Sequence, residues 1–142
     1  MRGGVLKLLL PLFLLIFAAQ ADAQQPGGAT AATVAVPGSL QDIVRKPLVL
    51  RGTLGGDKIQ LSLRPKVDED GLEGQYFVFG QGSQILLAGE VDQNDLVMEE
   101  SHNGKDVSGQ WEGSFKNGVL SGTWSTLDGS VTKPFSLKAG AQ

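Results

Sequence analysis

The chain has 142 residues, 20 of them glycine, with one histidine, no cysteine and a net charge of −3 from 12 basic and 15 acidic side chains. The missing cysteine excludes disulfide scaffolds, thiol nucleophiles and a lipid-anchored cysteine, and no run of residues has zinc-ligand or phosphate-cradle spacing. The acidic balance and the absence of a basic surface argue against a nucleic-acid partner.

Arg2 and Lys7, the apolar run from Leu8 to Ala19 broken only by Pro11, and the small residues Ala21-Asp22-Ala23 have the order of a secretory signal, with cleavage expected after residue 23. The run is shorter than the about 20 apolar residues of a membrane span. The expectation is an exported protein, periplasmic or extracellular, with no membrane span after cleavage. Residues 24–38 are rich in Gln, Pro, Gly, Ala and Thr and read as a flexible linker, because they bury too little surface to offset ordering. At 39–47 two readings stand. Ser39 can cap a short helix carrying Leu40, Ile43 and Val44 on one side, ended by Pro47 and able to plug one end of a sheet; alternatively the segment is an extended lead-in.

From residue 48 to 138 eight strand-like segments alternate with seven turn signals, leaving 139–142 as a tail. The segments are 48–54, 58–64, 72–79, 84–91, 95–100, 106–115, 119–125 and 131–138. Asn117-Gly118 and Asp128-Gly129 supply the positive φ of two-residue hairpins. Every connection is short, so neighbours in sequence pair as an antiparallel up-and-down meander. Period two sends Leu50, Ile59, Leu61, Tyr76, Val107, Trp111, Trp124, Val131 and Phe135 to one face and Arg51, Gln60, Glu73, Glu112 and Ser121 to the other.

Glycines 52, 74, 89, 109, 113 and 122 each sit midway between two large apolar residues on the inward face. Inward glycine weakens a flat strand but suits a sheet that bends sharply. The fold class is therefore all-β, an eight-stranded meander that closes into a barrel, with the short N-terminal helix at one end. Pro134 in the last strand deletes one ladder donor and suits an edge or a seam.

The soluble exported meander with its Gly118-Val119-Leu120-Ser121-Gly122-Thr123-Trp124 hairpin and Pro134-Phe135-Ser136-Leu137 strand resembles the lipocalin and avidin group of small barrels. In particular it is similar to uncharacterised secreted bacterial proteins that end in this Gly-x-Leu-x-Gly-x-Trp and Pro-Phe-x-Leu pattern. The resemblance covers the chain from about Leu48 onward and implies architecture. A lipocalin has its Gly-x-Trp on the first strand, where this chain has Gly52-Thr53-Leu54, so no binding residue is carried over.

Strands of about seven residues give a barrel of roughly 23 Å before tilt, narrow enough for side chains to fill. Trp111, Trp124 and Tyr76 are then core anchors, or ligand-lining residues if a cavity exists. His102 lies beside Asn103-Gly104 and reads as a solvated turn residue rather than a catalytic base. Asp68 and Asp70 form a fragment of a calcium loop without the further ligands. No catalytic residue, metal or cofactor is assigned.

Charge is uneven. Between Val67 and Gly104 lie nine acids and no lysine or arginine. Phe77, Phe79 and Leu86 fall on the outward face of that region, with Glu73, Glu90 and Glu99 as rim charges. An apolar spot in an acidic field suits a cationic partner protein. The leading expectation is a non-enzymatic exported module that binds such a partner. The alternatives are a lipocalin-like carrier of a small apolar ligand and a hydrolase using the outward carboxylates Glu90, Glu99 and Glu112.

Overall fold

The structure, a computed structural model, describes residues 38–139. The expected signal at 1–23 and nearly all of the linker lie outside the described residues. One helix, α1 (Leu40–Ile43), precedes eight strands: β1 (Leu48–Leu54), β2 (Asp57–Pro65), β3 (Leu72–Val78), β4 (Ile85–Asp92), β5 (Asp95–Ser101), β6 (Gly109–Lys116), β7 (Val119–Ser125) and β8 (Thr132–Ala139). Every consecutive pair is antiparallel and β8 returns to β1, with Leu50 opposite Ala139 and Leu54 opposite Phe135. The meander is closed, which removes the exposed edges an open sheet would present. Pro134 lies one residue past the last β1–β8 rung, where its missing N–H breaks no bond to β1, and its carbonyl accepts from the Gly55 N–H at 2.7 Å.

Alternation fills the interior. Leu50, Ile59, Leu61, Met98, Trp111 and Leu137 are among the buried side chains, with Phe115 and Trp124 packed at the margins. Burying each large aliphatic or aromatic group contributes about 1.5 to 3 kcal/mol. The inward glycines let neighbouring strands come close enough to coil. Gly113 and Gly122 face each other across β6 and β7. A Cβ on Gly122 would strike the Glu112 carbonyl and lie 2.5 Å from the Gly113 Cα, and one on Gly113 would lie 2.6 Å from the Phe135 ring. The phenyl ring thus occupies the space that the missing side chain of Gly113 leaves, and it meets Trp111 at a centroid distance of 5.0 Å.

Helix α1 closes one mouth of the barrel. The Ser39 hydroxyl accepts from the Asp42 N–H at 3.3 Å and so caps the helix. Leu40 and Val44 enter the core, while the Leu40 N–H donates to Asn94 Oδ1 and the Gln41 N–H to the Gln93 carbonyl, both in the β4–β5 turn. Of the two readings of this segment, the helix is the one observed.

Two strands begin later than period two implies. Val131 is exposed and precedes β8, and Val107 lies between β5 and β6 rather than in a strand. The causes are side chains that organise the turns. Asn103 Oδ1 accepts from the N–H groups of Lys105 and Asp106, and Asp128 Oδ1 accepts from the N–H and hydroxyl of Ser130 and from the Thr126 hydroxyl. Such turns compete with the ladder for backbone donors. The β7–β8 connection therefore runs over residues 126–131 rather than as a two-residue Asp-Gly loop. Asn117 and Gly118, with φ of 53° and 78°, do form the expected tight turn.

Candidate functional site

The one buried charged side chain among the described residues is Glu100, 2% exposed. Leu96, Met98 and Glu100 share a strand face, so the alternation that buries the first two carries the carboxylate inward as well. Its Oε2 accepts from the Tyr76 hydroxyl at 2.8 Å and the Trp111 Nε1–H at 3.0 Å, and its Oε1 from the Ser108 hydroxyl at 3.3 Å. Three donors converging on one carboxyl group provide what a desolvated carboxylate requires. Tyr76 and Trp111 also meet edge to face, with centroids 5.1 Å apart and planes at 74°. Burial, then the hydrogen bond to Glu100, then its negative charge push the Tyr76 phenol well above its usual ionisation range. All three donors are side chains of the barrel itself.

Trp124 is held differently. Its indole N–H is buried without a hydrogen-bond partner and lies 2.6 Å from the position a Cβ on Gly109 would take, while the Lys133 ammonium stands 5.3 Å from the ring centroid. Glycine at 109 is what admits the indole edge. Of the three residues expected to line a ligand cavity, Tyr76 and Trp111 are thus buried and committed to Glu100, and Trp124 packs on Gly109.

One concavity lies on the outside of the barrel. A groove of about 630 Å³ is lined by successive triplets, Pro47 to Val49, Ser62 to Arg64, Glu73 to Gln75, Leu86 to Ala88 and Glu99 to Ser101. Their central residues, Leu48, Leu63, Gly74, Leu87 and Glu100, form one continuous row of register partners across β1 to β5. Leu63, Leu87 and Glu100 turn their side chains into the barrel and are buried. The floor is therefore strand backbone, and the walls are the outward side chains one position either side. Lys66, Gly104, Lys105 and Val107 complete the lining. Arg64 donates to Glu73 Oε1 through Nε and its terminal nitrogen, both at 2.9 Å, and Lys66 is 3.6 Å from Glu69. Glu99 and Lys105 have no ion-pair partner among the described residues.

The second outward feature adjoins the first. Val97 is 55% exposed and sits between Glu90 on β4 and Glu112 on β6, in one rung. Asp95 and Glu99 flank it on the same face of β5, and Asp92 faces Asp95. None of these five carboxylates is in an ion pair among the described residues. Strand register thus gathers an apolar centre with an acidic surround.

Of the six residues expected to bind a partner, the groove brings together Glu73, Leu86 and Glu99. Phe77 and Phe79 pack on each other, centroids 5.2 Å apart at 66°. Phe77 is opposite Gln60 and the Phe79 N–H donates to the Lys58 carbonyl, so the pair stands beside β2. Glu90 lies with Val97. No family model matches the chain, and no curated protein does. Two features were missed from the sequence: Glu100, although continuing period two past Met98 would have found it, and Val97, for which strand register is needed.

Proposed function

We propose that the chain is an exported, non-enzymatic β-barrel module that binds a cationic protein through the outward face of β4 to β6. The observation that carries this reading is Val97 standing exposed within five unpaired carboxylates. Long-range attraction would speed encounter with a basic partner, and the apolar centre would slow separation. The signal-like N-terminus supports export. Two features support the non-enzymatic reading over the carboxylate hydrolase. Glu100, the one interior carboxylate among the described residues, is saturated by protein donors, and Glu90 and Glu112 stand on a convex outer face with Val97 between them. A two-carboxylate mechanism needs the pair to flank a bound substrate. The interior is taken up by Trp111, Phe135 and the Tyr76–Glu100 group, which weighs against a lipocalin-like carrier of an apolar ligand.

The test is a titration against a strongly basic protein such as a lysozyme, at about 0.1 M and about 1 M salt, where the screening length falls from about 10 Å to about 3 Å. Binding is expected at the lower salt and to weaken steeply at the higher. Glu90→Lys with Glu112→Lys should slow association, whereas Val97→Ser should mainly speed dissociation. Absence of binding at low salt, or indifference to all three substitutions, removes this face from consideration.

A further inference from the structure

The outer groove offers a recognition surface with its own apolar walls, sharing Glu99 with the acidic face. It crosses five strands, and four inter-strand steps of about 4.8 Å make it roughly 19 Å long, the reach of about six residues of extended chain at about 3.3 Å each. Its volume of about 630 Å³ falls within the roughly 300 to 1,000 Å³ of ligand sites. A compact ligand would leave most of that length empty. The barrel is closed and its ladders are continuous, so no backbone edge is free for strand addition and recognition must come from side chains. Among the charges in the lining, Arg64 is committed to Glu73, Lys66 to Glu69, and the buried Glu100 to Tyr76, Ser108 and Trp111. That leaves one carboxylate, Glu99, and one ammonium, Lys105, uncommitted, with exposed Val49, Leu86 and Ala88 along the walls. Opposite charges along an apolar track are complementary to a linear chain carrying both signs.

We propose that this groove binds an extended peptide segment of a partner protein, with a basic side chain set against Glu99, a carboxylate reaching Lys105 and apolar side chains over Val49, Leu86 and Ala88.

The full chain is immobilised and panned against an unbiased display library of random linear heptapeptides, and enriched peptides are measured by fluorescence polarisation. The expected result is enrichment of sequences with a basic and an acidic residue about an apolar stretch, bound roughly tenfold or more weakly by Leu86→Asp and by Glu99→Lys. Exchanging the peptide's basic residue for an acidic one should restore binding to Glu99→Lys. Both positions face solvent, and melting curves confirm that each variant is folded. Glu112→Lys, on the neighbouring face, should leave peptide affinity unchanged. Failure to enrich any peptide over the bare support, or peptides that bind Leu86→Asp and Glu99→Lys as tightly as the parent, would overturn the proposal. So would equal losses in Glu112→Lys and Glu99→Lys, which would assign the binding to the acidic face. The lysozyme titration reads that face separately, so either reading can fail without the other.

Discussion

Tyr76 donates its phenolic proton to Glu100 across 2.8 Å, from β3 to β5, in the interior of the barrel. The single tyrosine and the single buried carboxylate among the described residues thereby hold each other in place. Because the phenolate would be both desolvated and set against a negative charge, the folded state resists ionising Tyr76.

The sign of the resulting pH dependence is fixed. A phenol whose folded ionisation point lies above its unfolded value of about 10 contributes stability that is fully present below pH 10 and is lost as pH rises above it. The loss runs at up to about 1.4 kcal/mol per pH unit. Since the chain has one tyrosine, phenolate absorbance reports this residue without overlap. No step is expected near pH 10 in the folded protein, and the signal should appear together with unfolding. A free titration at the ordinary value in folded protein would contradict the burial of the hydroxyl.

Removing either partner should be costly and the two losses should not add. Glu100→Ala strips the acceptor from Tyr76 and Trp111, at about 1 to 3 kcal/mol for each orphaned donor, while Tyr76→Phe removes one donor and should cost about 1 to 3 kcal/mol. Urea denaturation of the singles and the double gives the coupling. Additive losses would mean that the hydrogen bond contributes nothing in solution.

Gly122 is expected to be the least replaceable residue of β7. Even alanine would drive a Cβ into the Glu112 carbonyl, so Gly122→Ala should cost about 1 to 3 kcal/mol or more through displaced strands. The exposed neighbour Ser121 should tolerate alanine within about 0.5 kcal/mol. Melting temperatures decide it; equal values would contradict the close approach of β6 and β7.

The two Asn-Gly steps should age differently. Deamidation needs the following backbone nitrogen to attack the asparagine side-chain carbonyl, expelling ammonia and leaving a succinimide that water opens. At Asn103 that nitrogen, of Gly104, donates to the Ser101 hydroxyl at 2.8 Å, and the amide oxygen is held by Ser101, Lys105 and Asp106. Asn117 has no such side-chain bonds among the described residues. Peptide mapping after storage at mildly alkaline pH should find isoaspartate at 117 before 103, and the reverse order would contradict the Asn103 network.

Much of the barrel was legible because period two and turn chemistry agree along most strands: the bounds of β1 and β7 follow directly from Leu48 to Leu54 and Val119 to Ser125. The errors at Val107 and Val131 share one physical cause. Polar side chains at Asn103 and Asp128 take backbone donors that alternation alone would give to a ladder. Glu100 escaped because a charge is expected outside, although its spacing from Leu96 and Met98 placed it inside. The groove and the Val97 surround were beyond reading from single strands. Leu48, Leu63, Gly74, Leu87 and Glu100 become neighbours through four successive registers, each set by a different turn.

The pairing of β1 with β8 also decides how the domain can be held. Leu50 opposes Ala139 near the start of the first strand and the end of the last, so the polypeptide enters and leaves the barrel at one mouth, the one shut by α1. A tag, anchor or second domain attached at either side of the barrel would issue from that single pole. The opposite rim would then point away from the attachment, which makes a terminal fusion the natural handle for presenting this module on a surface.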